Sequence, residues 1–127
     1  MWSDDAESKV LYVQTHGVND PGRCATPFFL AASAAAMECE VMIYFTMYGP
    51  TLLRKDVIDT IGPKGEHGQP LRYFIEQATS LGVRLLVCQP SLDLNDLAFE
   101  DLIDGVQMIG GAAFNDLAIS ADAVISF

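Results

Sequence analysis

The chain reads as an α/β protein: a single-domain, mostly parallel five-stranded sheet with helices on both faces, flavodoxin-like in outline. Three observations predict this. The chain has 127 residues, half of them hydrophobic, which suits one compact core and is too short for two. Five short runs of Val, Leu, Ile and aromatic residues are almost free of charge, as in strands covered on both faces. Between them lie stretches whose apolar residues recur at helical spacing, the strand–helix rhythm of a doubly wound sheet.

Residues 1–8 form a solvated lead-in. Lys9-Val10-Leu11-Tyr12-Val13-Gln14-Thr15 is the first strand, rich in residues that favour a pleated, half-buried surface. It runs into His16-Gly17-Val18-Asn19-Asp20-Pro21-Gly22, a loop of turn formers. From Cys24 to Met37, Phe28, Ala31, Ala32 and Ala35 repeat at helical spacing, and the small side chains suit close packing on a sheet. Glu40-Val41-Met42-Ile43-Tyr44-Phe45 is the second strand. A short helix is expected from about Thr51 to Ile61, with Leu53, Val57, Ile58 and Ile61 on its apolar side. Residues 62–70 are interrupted by Gly and Pro, so a mobile loop is expected there. Leu71, Phe74, Ile75, Ala78 and Leu81 mark an amphipathic helix that Gly82 stops.

The third strand, Val83-Arg84-Leu85-Leu86-Val87-Cys88, is bounded by Gly82 and Pro90. A further helix is expected at about Asn95 to Asp104, then a strand at Val106–Ile109. Gly110-Gly111 leads into a helix from Ala112 to Ser120, and Ala123–Ser126 is the last strand. Strand order is not given by these patterns.

Composition excludes several functions. A formal charge of −10 argues against nucleic acid and anionic membranes as partners, since both attract basic patches. No apolar run reaches the roughly 18–20 residues of a membrane helix. The acidic start, Met1-Trp2-Ser3-Asp4-Asp5-Ala6-Glu7, is unlike a signal peptide, and three irregularly spaced cysteines form neither a disulfide framework nor a zinc pattern. A cytoplasmic protein with free thiols is expected. The dinucleotide, P-loop and nucleophile-elbow fingerprints are absent, as is a metal-ligand set. No cofactor and no metal are expected.

Chemistry is therefore sought at the cysteines. Cys88 ends a buried strand, at the sheet edge where α/β proteins place ligands. A thiolate there gains from a following helix N-terminus, and Ser91 is placed to hydrogen-bond across one turn. The plainer alternative is packing, because free Cys is among the most buried residue types. Cys24 begins a helix beside Arg23, both features that lower a thiol pKa. In a flavodoxin-like strand order the first and third strands are neighbours, which would bring Cys24 close to Cys88. His16 shares that edge and suits proton transfer near neutral pH, or a structural hydrogen bond. Cys39 reads as packing and His67 as solvated.

The order of these motifs resembles the DsrE/DsrF-like family of small sulfur-relay proteins, with its TusD-type and YchN-like members. The resemblance is carried by the first strand with Asn19-Asp20-Pro21 and the Ala-rich helix, by Val41–Thr46 followed by Tyr48-Gly49, by Cys88 with Ser91, and by Glu100–Val106. It implies that Cys88 carries sulfane sulfur as a persulfide, with Ser91 supporting it. It also implies a homo-trimer or homo-hexamer, and rhodanese-like or TusA-like proteins as sulfur donors or acceptors in sulfur oxidation or tRNA thiolation. A competing reading is a non-catalytic, oligomer-forming subunit or small-ligand-binding protein whose cysteines are structural. A third is a redox sensor pairing Cys24 with Cys88.

Overall fold

A computed structural model describes residues 7–127, so the lead-in lies outside the described residues up to position 6. Five parallel strands, β1 (Lys9–Gln14), β2 (Glu40–Phe45), β3 (Arg84–Val87), β4 (Val106–Met108) and β5 (Ala123–Ser126), form one sheet in the order β4-β3-β2-β1-β5. The helices are α1 (Thr26–Ala36), α2 (Leu71–Ser80), α3 (Gln89–Leu94) and α4 (Gly111–Ser120). The expected fold class holds, but β1 and β3 are not neighbours: β2 lies between them.

Period-two alternation sorts the strand side chains onto two faces. Tyr12, Val41, Ile43, Phe45, Leu85 and Val87 join Phe28, Ala31 and Ala34 of α1 and Leu71, Ile75 and Ala78 of α2 in the larger core. Leu11, Met42, Tyr44, Leu86 and Cys88 point the other way, against Phe114, Leu117 and Ala118 of α4. Phe28 packs tilted against Phe45 with centroids 5.7 Å apart, and Tyr44 meets Phe114 at 4.3 Å.

Helix α2 stops as its sequence implies. Gly82 sits at φ 92°, its N–H donates to the Thr79 carbonyl, and the Val83 N–H donates to Ala78, the pattern of a Schellman cap. Helix α1 ends with the same two bonds, from Glu38 to Ala35 and from Cys39 to Ala34, with Glu38 in the left-handed position at φ 67°.

Two expected helices are corrected. Over 51–61 only a 3-10 turn forms, Gly49–Leu53. After it Arg54 is extended and bridges Leu102, the Lys55 N–H donates to Asp101 and the Ile103 N–H donates to Leu53, before turns carry the chain on to Thr60. This pairing takes up the backbone groups that a helix would use. It also opposes a helix at Asn95–Asp104, where only the 3-10 turn Phe99–Asp101 forms. The helical residues lie earlier, in α3, because Pro90 occupies the first turn, where its missing N–H and fixed φ are no handicap. Asp96, at φ 54°, carries the chain away from that helix.

Candidate thiol site

Cys88 is the N-cap residue of α3, in extended conformation at the end of β3, and is 8% exposed. The register that pairs Phe45 with Val87 sets Thr46 beside Cys88, and alternation turns Tyr44 to the same face. Ser91 lies one turn into α3. Its Oγ is 2.7 Å from the Cys88 Sγ and 3.1 Å from the Thr46 Oγ1, which is itself 3.6 Å from the sulfur.

A hydroxyl has one proton to give and two lone pairs to fill. The Met47 N–H donates to Ser91 Oγ at 2.9 Å, and the single Thr46 proton can go to Ser91 Oγ or to the sulfur. The Ser91 hydroxyl is the nearer of the two to the Cys88 Sγ, at 2.7 Å. When Cys88 is a thiolate, the sulfur only accepts.

Burial opposes the charge on Cys88. The Ser91, Tyr44 and Thr46 hydroxyls favour it, as does the Ser91 backbone N–H. Together they hold this thiol below its ordinary value. Tyr44 is shifted the other way: burial first, and then the neighbouring Cys88, keep its phenol protonated. The site thus favours a nucleophilic sulfur without a metal. Among the described residues no cluster of His, Cys, Asp and Glu is arranged to hold a metal ion.

Cys24 is fully buried in the larger core, on the other face of the sheet from Cys88. The intervening β2 separates the two strand ends, and all three cysteines are free. Burial raises the Cys24 thiol, outweighing its backbone hydrogen bond, and Asp20 adds to the rise. Arg23 instead pairs with Asp20 at 3.2 Å. His16 shares the carboxyl edge of the sheet. Its Nδ1 is 3.3 Å from Thr15 Oγ1 and its Nε2 is 4.0 Å from Asp20; neither nitrogen is bonded to Cys88.

Tyr44, Thr46 and Asn95 join the site without having been singled out for it. The signal for the first two is the alternation along β2 that ends level with Cys88. Gln14, fully buried, anchors the nearby loop by donating to the carbonyls of His16 and Arg23. The two strand-end loops approach so closely that a Cβ at Gly49 would meet the Gln14 carbonyl and one at Gly17 the Tyr48 carbonyl. A cleft of about 560 Å³, lined by Lys55, Arg72, Glu76, Arg84 and Asp104 among others, lies elsewhere and includes none of these site residues.

A parallel α/β sheet carrying a hydroxyl-supported thiol at a strand end defines a class of small cysteine proteins suited to chemistry at sulfur. Comparison with known proteins specifies the family. Residues 8–127 match the model of the DsrE/DsrF-like family, and the chain belongs to that family. It is 30% identical over 154 aligned positions to the sulfur carrier protein DsrE2 of Allochromatium vinosum, covering 91% of this chain and 96% of that protein. The fold matches the ychN protein of E. coli with a TM-score of 0.73 at 18% identity, over 96% of this chain and 100% of the other. It also matches a protein of unknown function from Methanobacterium thermoautotrophicum, with a TM-score of 0.61 at 15% identity, over 96% and 100% of the two chains. A sulfur-relay role is thus supported at the level of the family.

Proposed function

We propose that this protein is a sulfur carrier that accepts sulfane sulfur as a persulfide on Cys88 and relays it to a partner protein. The observation that carries this reading is the hydroxyl set that favours a thiolate at Cys88. The Cys88 thiolate attacks the outer sulfur of a donor persulfide. A new S–S bond forms at Cys88, the donor's S–S bond breaks, and the donor leaves as a thiolate. The terminal S–H stays on the transferred sulfur, so neither oxidant nor reductant is needed. Delivery to the acceptor is the same exchange in reverse, governed by thiolate fraction, nucleophilicity and access.

Ser91 is the supporting donor in this reading. His16 remains a candidate for a secondary role on the same edge, while Cys24 is set apart from Cys88 by its full burial on the other face. Rhodanese-like or TusA-like proteins are the proposed donors and acceptors, meeting the site across the exposed Met47 and Tyr48 beside it. The working form is a cytoplasmic homo-trimer or homo-hexamer.

The test is intact-mass spectrometry of the reduced protein after incubation with a polysulfide, alongside Cys88→Ser. The expected result is a gain of one or more sulfur atoms in the wild type and none in the variant. An equal gain in both would move the sulfur to another thiol. No gain in either would overturn the carrier reading in favour of a non-catalytic subunit.

A further inference from the structure

The backbone at Met47 is held in an unfavourable conformation beside the thiol. Its φ is 53°, the left-handed region, which costs a residue with a Cβ roughly 1–2 kcal/mol. Packing does not compensate, because the Met47 side chain is 56% exposed. What holds it is polar. The Met47 N–H donates to Ser91 Oγ at 2.9 Å, and the Met47 carbonyl accepts from Asn95 Nδ2 at 2.7 Å. The same Asn95 nitrogen also donates to the Ser91 carbonyl at 2.6 Å, so both of its protons are used. Asn95 is the C-cap residue of α3 and ties the far end of that helix to the turn after β2.

We propose that Asn95 is a positioning residue for Cys88: its amide holds Met47 in the left-handed conformation, which aims the Met47 N–H at Ser91 Oγ and turns the Ser91 proton onto the Cys88 sulfur. This rests on Cys88 being the working thiol. Without the Asn95 amide, Met47 relaxes toward ordinary backbone angles and its N–H leaves Ser91. The Ser91 hydroxyl is then free to rotate away from the sulfur. Asn95 makes no hydrogen bond to the sulfur; it acts through Met47 and Ser91.

The experiment is the pH dependence of Cys88 alkylation by iodoacetamide, followed on the Cys88 peptide by mass spectrometry. Asn95→Ala is expected to raise the midpoint by at least half a pH unit, about a threefold loss of rate below the midpoint. Adding Met47→Gly, which removes the left-handed penalty, is expected to restore most of that loss. In a Ser91→Ala background Asn95→Ala is expected to have no further effect, since coupled residues are not additive. A superimposable Asn95→Ala profile, or an undiminished shift without Ser91, overturns the proposal. Should Asn95→Ala fail to fold, hydrogen exchange of the wild-type Met47 amide decides: strong protection is expected, and exchange as fast as an open loop overturns it. Alkylation does not require sulfur loading. A protein that gains no polysulfide sulfur yet shows these shifts loses the carrier reading and keeps the Asn95 assignment.

Discussion

Ser91 is the donor nearest the Cys88 sulfur, so replacing it tests most directly what sustains the thiolate. A hydrogen bond to a charged group contributes roughly 1.5–3 kcal/mol, and one pKa unit corresponds to about 1.4 kcal/mol. Ser91→Ala is therefore expected to raise the alkylation midpoint of Cys88 by about one unit or more. An unchanged profile would assign thiolate stabilisation to Tyr44, Thr46 and the backbone N–H at position 91. The sign of the pH dependence of stability follows from the same groups. The folded thiol of Cys88 lies below its unfolded value, so its contribution is complete above the unfolded value and is lost as pH falls through the folded one. Cys24, Tyr12 and Tyr44 are raised, chiefly by burial. At strongly alkaline pH the folded chain keeps protons that the unfolded chain releases, and stability falls. Thermal unfolding followed against pH should show this alkaline decline, and Tyr44→Phe should lessen it. Cys88 and Ser91 were legible in the sequence because one helical turn joins them, whereas Thr46 is 42 residues from the thiol it contacts.

Among the elements, α1 and α2 end with the same cap but unequal residues. Gly82 takes the left-handed position of α2 without strain, while Glu38 takes that of α1 with a Cβ. Glu38→Gly is expected to stabilise the protein by about 0.5–1 kcal/mol, the left-handed penalty less the extra freedom of glycine when unfolded; a lower denaturation midpoint would contradict this. Phe28 is fully buried under α1 against Phe45. Phe28→Ala should cost about 3–5 kcal/mol by urea denaturation, through lost burial and the cavity left behind. The strands and the three longer helices α1, α2 and α4 were readable from the sequence, since each pattern is local. The segments 51–61 and 95–104 were misread because their apolar spacing fits a helix, while residues 53–55 pair with 101–103 and residues 56–60 form only turns.

At the scale of the whole molecule, helix α4 and the edge strand β5 carry exposed apolar side chains, as do other parts of the described surface. Ile119 is 85% exposed, Val124 48% and Ile125 42%, more than an isolated protein needs to leave open. If these residues form the contact between copies, sedimentation should give a multimer for the wild type and a monomer for Ile119→Asp. A monomeric wild type at micromolar concentration would remove the oligomer from the proposed function. The charge of −10 makes any partner with a basic contact surface associate faster at low salt.

Local chemistry determined much of this protein: five strands, the helices α1, α2 and α4, the helix-ending glycine at 82, and a cysteine at a strand end with a serine one turn later. Each depends on residues a few positions apart, so propensity and spacing suffice to specify it. The tertiary structure alone decided that β2 stands between β1 and β3 and that Cys24 and Cys88 lie on opposite faces of the sheet. It alone brought Thr46, Met47 and Asn95 to the thiol, because those contacts span 42 to 48 residues. Strand order is set by which apolar faces cover one another across the whole sheet, a comparison that no single stretch of chain contains.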